Sequence, residues 1–365
     1  MLYFISLGLG DETDITIKGK NCIELCDIVY LDHYTAILGV DIERLNKFHN
    51  KQIILADREL IESGTEILNN SLQYNVALLV VGDCFAATTH HDLYLRAVQQ
   101  NIQINVVHNA SIINGVGICG LQLYRYGECV SIPYFTAQWK PISFYHKIKS
   151  NTLSGLHTLC LLDIRVKEQL PEDIAKNNKI YQPPRYMTIN QSIHQLLDTH
   201  TIIYNQHVNG NNDQPFIPAY TGDTCAFGVA RIGSSTEQII SGTLNELLLI
   251  DFGLPLHSLI LCGTMHDMEL DMYNHYHWNK QQRIHDKQQE LIAQQNQLAQ
   301  QNHLYQQQSA QRIQQQQYAI QQNKQLKQAA IQQKLQQQQQ QHRIDSNESD
   351  DDTNGGIDMS ISLFD

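Results

Sequence analysis

The chain has 365 residues, 42% of them hydrophobic and 17% charged, with a formal net charge of −12. Six Asp and one Glu, with no Lys or Arg, lie between Asp345 and Asp365, so more than half of that charge sits in the last stretch and the body is only mildly acidic. This balance excludes the clustered basic surface of a nucleic-acid binder, and no apolar run approaches the roughly 18 residues of a membrane-spanning helix.

The length fits two domains with cores of their own. Met1-Leu-Tyr-Phe-Ile-Ser has no basic region ahead of it and does not read as a signal peptide. The eight cysteines form no C-x-x-C pair and lie in apolar surroundings such as Thr158-Leu-Cys-Leu-Leu162. They read as small buried hydrophobes of a reducing, cytoplasmic protein. No paired Cys/His spacing suggests a zinc site, so no metal is expected.

In chain order, a strand over Leu2–Leu7 ends in Gly8-Leu-Gly10-Asp11. A helix follows near 15–26, then a strand at 28–31, a helix near 42–48, a strand at 52–55 and a helix at about 59–72. Val76–Val81 is an unbroken, β-branched apolar run. It predicts a strand buried on both faces, as in a parallel sheet. It stops at Gly82-Asp83, and a helix begins near 92, with His90-His91 at its start. One more strand covers 102–107. Strands alternating with helices of this length predict βαβ units and a mainly parallel sheet.

Past His108-Asn-Ala-Ser-Ile-Ile-Asn114 the texture changes, and glycines 115, 117 and 120 interrupt a short helical stretch. Strands are predicted at 128–132, 157–163, 224–232 and 257–261. Helices are predicted at 141–150, 189–197 and 242–249, with a surface loop at 206–214. This second half is a mixed α/β unit. The expected division is 1–112 for the first domain and 113–270 for the second, then a Gln-rich tail over 271–342 and an acidic terminus over 343–365. Residues 281–341 are about half glutamine. Such a tract buries too little apolar surface to offset its ordering entropy, and reads as disordered or loosely helical.

In open α/β sheets, ligands bind beyond the carboxyl ends of the strands. Asp83 stands at such an end, as a ligand contact or as the cap of its own turn. Gly8-Leu-Gly10-Asp11 is not a dinucleotide fingerprint, since Thr13 stands where the third glycine belongs. It is not a P-loop either, having no Gly-Lys-Ser/Thr. Ser111 follows the third strand end, with no Ser/His/Asp triad context. Three strand ends of the first half therefore converge on small, polar or acidic residues. The strands at 158–162 and 257–261 could face them across a cleft between domains.

Several motifs occur together and in order: Met1-Leu-Tyr-Phe-Ile-Ser-Leu-Gly-Leu-Gly-Asp11, Ala56-Asp-Arg-Glu59, Val80-Val-Gly-Asp83 with Ala87-Thr-Thr-His90, and His108-Asn-Ala-Ser-Ile112. They are followed by Gly155-Leu-His-Thr-Leu-Cys-Leu-Leu-Asp-Ile164, Tyr181-Gln-Pro-Pro-Arg-Tyr-Met187 and Pro255-Leu-His-Ser258. Over about residues 1–270 the chain resembles the diphthine synthases, methyltransferases of the tetrapyrrole-methylase type. The resemblance does not reach the Gln-rich tail.

The resemblance implies two α/β domains, a homodimer, and S-adenosylmethionine bound in the interdomain cleft. It implies methylation of the 3-amino-3-carboxypropyl group on a histidine of translation elongation factor 2. The eukaryotic members add four methyls, three to the amine and one to the carboxylate; the archaeal members add three. Carried over by position, the donor contacts would be Leu9, Asp83, Ala86, Ser111 and Ile112 from the first domain. Leu162, Ile232 and His257 would complete the pocket from the second. Cys84 and Ala86 depart from the family's usual Pro and Gly. No catalytic acid or base is assigned, although His157 or a water could serve. The rival readings are a tetrapyrrole-type small-molecule methyltransferase and a non-enzymatic assembly protein built around the glutamine tail.

Overall fold

A computed structural model describes residues 1–33, 39–166, 168, 181–210, 214–280, 292, 295–297, 299–300 and 321–339. Met1–Ile284 form one compact unit and His285–Asp365 a second.

The first sheet of the first unit comprises β1 (Leu2–Ser6), β2 (Ile28–Asp32), β3 (Ile53–Ala56), β4 (Val76–Val80) and β5 (Ile104–Val107). Its order is β3-β2-β4-β1-β5, and every pairing is parallel. The continuous apolar runs follow from this placement. In β4, Ala77, Leu79 and Val81 enter one core, while Val76, Leu78 and Val80 enter the core on the other face. A strand covered on both sides has no position for an alternating polar residue.

The connecting helices are α1 (Ile17–Glu24), α2 (Ile42–His49), α3 (Arg58–Ser63), α4 (Thr65–Ser71) and α5 (His91–Gln99). The single helix expected over 59–72 is two. Gly64 takes a left-handed conformation, φ 59°, between them, and a Cβ there would lie 2.6 Å from Leu93 Cδ1. The expected helix start at His90-His91 is observed, with His90 as the N-cap of α5.

After the short helix α6 (Ile112–Gly115) comes the second sheet. It comprises β6 (Val130–Ile132), β7 (Thr158–Leu162), β10 (Cys225–Ala230), β11 (Gln238–Thr243) and β12 (His257–Leu261), in the order β11-β10-β12-β7-β6. Only β6 and β7 pair in parallel; the rest are antiparallel. A separate two-stranded ribbon, β8 (Ile164–Arg165) with β9 (Arg185–Tyr186), leaves the end of β7. The fold class read from the sequence, a parallel sheet followed by a mixed one, is what the chain adopts.

Three features of this half depart from expectation. β11 was not anticipated, because Gln238-Ile-Ile-Ser-Gly-Thr243 is short and ends in small residues; it is held as the hairpin partner of β10. The helix near 242–249 shrinks to α9 (Leu244–Leu247). The helix expected to stop at 197 runs on as α8 (Ile189–Asn209), so residues 206–209 of the predicted 206–214 loop are helix. A polar outer face hid its last three turns; the buried residues are Ile189, Ser192, Ile193, Leu196 and Thr199. α7 (Ser143–Leu153) packs on the same core.

A last helix, α10 (Asp267–Tyr276), lies across the boundary expected at 270. It buries Tyr273 and Glu269 against the second sheet, and Trp278 packs on that sheet's core. In the second unit, residues 321–339 are helical and exposed. The acidic terminus expected at 343–365 lies outside the described residues. No helix among the described residues is long and apolar enough to cross a membrane. All eight cysteines are free.

Candidate active site at the strand ends

The loops after β1, β4 and β5 are stitched together. Gly8 and Gly82 form an isolated bridge, with Gly82 N–H donating to Gly8 O at 2.7 Å and Gly8 N–H to Gly82 O at 3.2 Å. Both take positive φ, 80° and 77°. That conformation is open to glycine and costly for other residues, which explains both glycines.

Asp83 is the hub. Its Oδ1 accepts from Phe85 N–H at 2.9 Å; its Oδ2 accepts from His108 Nδ1 at 2.9 Å and Asn109 N–H at 3.1 Å. Burial alone would raise its pKa, but these donors and the His108 ring outweigh it and hold the carboxyl below its ordinary value. The turn-cap reading of Asp83 is therefore correct as far as it goes. The side chain also ties β4 to the edge strand β5, and Oδ1 carries one hydrogen bond where a carboxylate oxygen can accept two.

Two partners of this hub, His108 and Asn109, belong to a motif quoted from the sequence but were given no role there. His108 is fixed through Nδ1, and its side chain is 70% exposed. Asn109 Nδ2 donates to Asp14 O at 2.9 Å and to Ser6 O at 3.3 Å, binding the loop after β1 to that after β5. The signal was present: an Asp stands three residues past β4 and a His directly after β5, the two strands flanking β1.

Cys84 is buried, and its N–H donates to Ser6 Oγ at 3.0 Å. Burial pushes its thiol up to about 12, so it is a packing residue. Ala86 is not among the positive-φ residues, whereas its neighbour Ala87 is, at 59°. The alanine at 86 thus fits without backbone strain. Behind this loop, buried His90 places Nε2 3.0 Å from Asp32 Oδ2 and Nδ1 3.0 Å from Cys84 O.

The second sheet meets these loops through Ile232 and Gly233, just past β10. A Cβ on Gly10 would lie 2.4 Å from Gly233 O, and one on Gly115 would lie 2.8 Å from Leu9 Cδ1 and 3.2 Å from Ile232 Cγ2. Leu9, Ile112 and Ile232 share one apolar cluster. Ser111 is the buried N-cap of α6, its N–H donating to Asn114 Oδ1 at 2.7 Å.

Leu162 and His257 stand at the same end of the second sheet as Ile232, one position beyond the Leu161–Ser258 pair. Their side chains do not join the Leu9 cluster. Leu162 packs in the core on the opposite face, with Val130 and Met187. Buried His257 accepts from Ile189 N–H at Nδ1, 3.4 Å, and its Nε2 lies 3.0 Å from Leu254 O. Since a carbonyl only accepts, the ring is the Nε2–H tautomer. Burial lowers its pKa. Both residues therefore offer backbone, not side chain, to a cleft.

His157 stands just before the opposite end of β7, about five strand residues from Leu162, roughly 16 Å. Its Nδ1 accepts from Gly263 N–H at 2.9 Å and its Nε2 faces Glu269 at 3.2 Å, fully buried. It is a core residue and no candidate base for this site. Among the described residues no three His, Cys, Asp or Glu are grouped as metal ligands would be.

The family model of the tetrapyrrole (corrin/porphyrin) methylases matches residues 1–248. The chain is 48% identical over 283 residues to the diphthine methyl ester synthase of Dictyostelium discoideum, covering 77% of this chain and 99% of that one. It is 49% identical over 274 residues to the human protein of that name, covering 74% and 93%. The chain belongs to the tetrapyrrole methylase family, in its diphthine methyl ester synthase branch. A solved diphthine synthase superposes with a TM-score of 0.61 at 29% identity, over 76% of this chain and 95% of that one. This methyltransferase has a parallel sheet followed by a mixed one, the architecture of the tetrapyrrole methylase fold.

Proposed function

We propose that this enzyme uses S-adenosylmethionine to methylate the 3-amino-3-carboxypropyl group on a modified histidine of translation elongation factor 2. Four methyls are transferred, three to the amine and one to the carboxylate. The observation that carries the reading is the near end-to-end match to relatives named diphthine methyl ester synthase. A homodimeric, cytoplasmic enzyme belongs to the same reading, as does a division into two lobes near residue 112.

The donor would be held by Leu9, Asp83, Ala86, Ser111 and Ile112 from the first lobe and by Leu162, Ile232 and His257 from the second. The chemistry of the set fits. Buried Ile232 and partly buried Leu9 and Ile112 are apolar and belong to one cluster, suited to a purine or a thioether. Asp83 is ionised, with accepting capacity left on Oδ1 for a hydroxyl or an ammonium. The glycine approach between Gly10 and Gly233 brings the two lobes' backbones together beside them.

When bound, the donor supplies a methyl on a positively charged sulfur. The protein's share is alignment and exclusion of water, the two requirements of an in-line displacement. Asp83 is held in place by Phe85 N–H, His108 and Asn109 N–H, with Ser6 Oγ at 3.5 Å, so its carboxylate is pre-oriented. An amine must be neutral to attack, so each protonated amine loses a proton before it is methylated. The carboxylate is already ionised and needs no base.

The test is incubation with labelled S-adenosylmethionine and elongation factor 2 carrying the carboxypropyl histidine, followed by peptide mass analysis. Four added methyls are expected. Three would support trimethylation alone, and no label on the factor would overturn the reading. Removing the glutamine tail after residue 284 should leave the methylation rate within about twofold, because the first unit keeps its own cores. A cut after residue 266 should instead give an insoluble or thermally unstable protein, since it removes Glu269, Tyr273 and Trp278.

A further inference from the structure

The ribbon that leaves β7 sets two arginines against each other. Arg165 and Arg185 are directly opposed across the β8–β9 pair. Like charges in that position repel, so the arrangement calls for an anion. One is present. Arg165 Nη1 donates to Glu168 Oε1 at 3.0 Å, and Arg185 Nη2 donates to Glu168 Oε2. Both guanidinium carbons also lie over the Tyr134 ring, at 5.1 and 5.4 Å from its centre. Asp163 fixes the base of the cluster, accepting from Arg165 Nε at 3.1 Å and Tyr134 N–H at 3.0 Å.

The cluster's location matters as much as its charge. Asp163 directly follows Leu162, at the end of the second sheet that also carries Ile232 and His257. One strand, β12, separates β7 from β10. At about 4.8 Å per strand, the end of β7, where the ribbon begins, is offset by roughly 10 Å across the sheet from the end of β10, which leads to Ile232 and Gly233.

We propose that Arg165 and Arg185 form the subsite for the acceptor's carboxylate, and that Glu168 occupies it when no acceptor is bound. This rests on the function proposed above. Planar guanidiniums recognise carboxylates through paired N–H donors. The Arg185–Glu168 pair is exposed, at 54% and 33% of side-chain surface. Exposed pairs of this kind contribute little, so exchanging one carboxylate for another costs little. Tyr134 and Asp163 keep the guanidiniums oriented while the anion changes. A carboxylate held this way directs the neighbouring amine toward the methyl. Each amine transfer forms an N–C bond as the methyl–sulfur bond breaks; the sulfur keeps the electron pair, and the amine's proton has already gone to solvent. A carboxylate bound by two arginines is a weakened nucleophile, so its own methylation comes last.

The test compares two acceptors: elongation factor 2 bearing the carboxypropyl histidine, and the same modified histidine in which a carboxamide replaces the carboxylate. Wild-type enzyme should show at least a tenfold higher KM for the carboxamide. Arg185→Gln should raise KM for the carboxylate acceptor by a similar factor and show no further loss on the carboxamide. Its donor affinity should stay within twofold, which also reports an intact fold. Arg185→Lys should recover part of the loss. Equal losses on both acceptors would overturn the subsite while leaving the function standing. A wild-type enzyme that labels neither acceptor would overturn the function itself and the subsite with it.

Discussion

Replacing Asp83 by alanine should weaken donor binding by about 2–3 kcal/mol, roughly 30- to 150-fold, because it removes an ionised acceptor and leaves two partly buried N–H donors unpaired. Phe85 N–H and Asn109 N–H lose their partner, and His108 loses its anchor. The loops after β4 and β5 would then part, although both strands stay paired to β1. Titration calorimetry with S-adenosylmethionine measures the loss. A variant with unchanged affinity and an unchanged melting temperature would confine Asp83 to capping its turn. Asp83→Asn separates charge from hydrogen bonding: it keeps one accepting oxygen, and should fall between wild type and alanine.

The second large effect lies far from the cleft. Glu269 is buried and accepts from Gln122 N–H at 2.9 Å, His266 N–H at 3.1 Å and His157 at 3.2 Å. Glu269→Ala strands three donors at once and should cost about 3–5 kcal/mol, lowering the melting temperature by roughly 10 °C. Donor affinity of the folded fraction should not change.

The same pair predicts acid sensitivity. Burial holds the His157 pKa below its ordinary 6.5, despite the Glu269 carboxylate that pulls it upward. The unfolded chain therefore binds that proton first as pH drops, and stability declines below about pH 6.5. Burial would raise Glu269, but the Gln122 and His266 N–H groups and His157 outweigh it and keep it below its ordinary 4.5. The stability it supplies is full above that value and is lost as pH falls through its lowered pKa in the folded state. Melting curves taken from pH 8 down to about pH 2 should show decreasing stability on the acid side, and the Glu269→Ala variant should lack the lower of the two losses.

The strands of the first sheet were legible because each one's alternate residues fill two separate cores, leaving unbroken apolar runs such as Val76–Val81. Boundaries failed where a local rule met a tertiary partner. Gly64 broke a helix to clear Leu93. Gln238–Thr243 became a strand only because β10 offered it a register. The boundary at 270 cut through helix α10 because its buried face holds few residues, Glu269 and Tyr273. Such a face is too sparse to stand out beside a glutamine run.

The site divides the same way. Composition and the order of strands determined, by sequence alone, a two-sheet α/β chain whose loops after β1, β4 and β5 converge; that it is a methyltransferase followed from the resemblance of its motifs to a known family. Those are local properties: short-range patterning sets strand placement, and chain order sets which loops share a sheet edge. Only the tertiary structure decided what each side chain does there. Leu162 and His257 lie at the right end of the second sheet, yet turn their side chains into its core. His157 lies at the wrong end altogether. Asp83 is bound to His108 and Asn109, 25 and 26 residues away along the chain. Arg165 and Arg185 are opposed across a ribbon whose two strands lie far apart in sequence. Side-chain direction and long-range pairing depend on register and on which face is covered, and neither is encoded in any short stretch of residues.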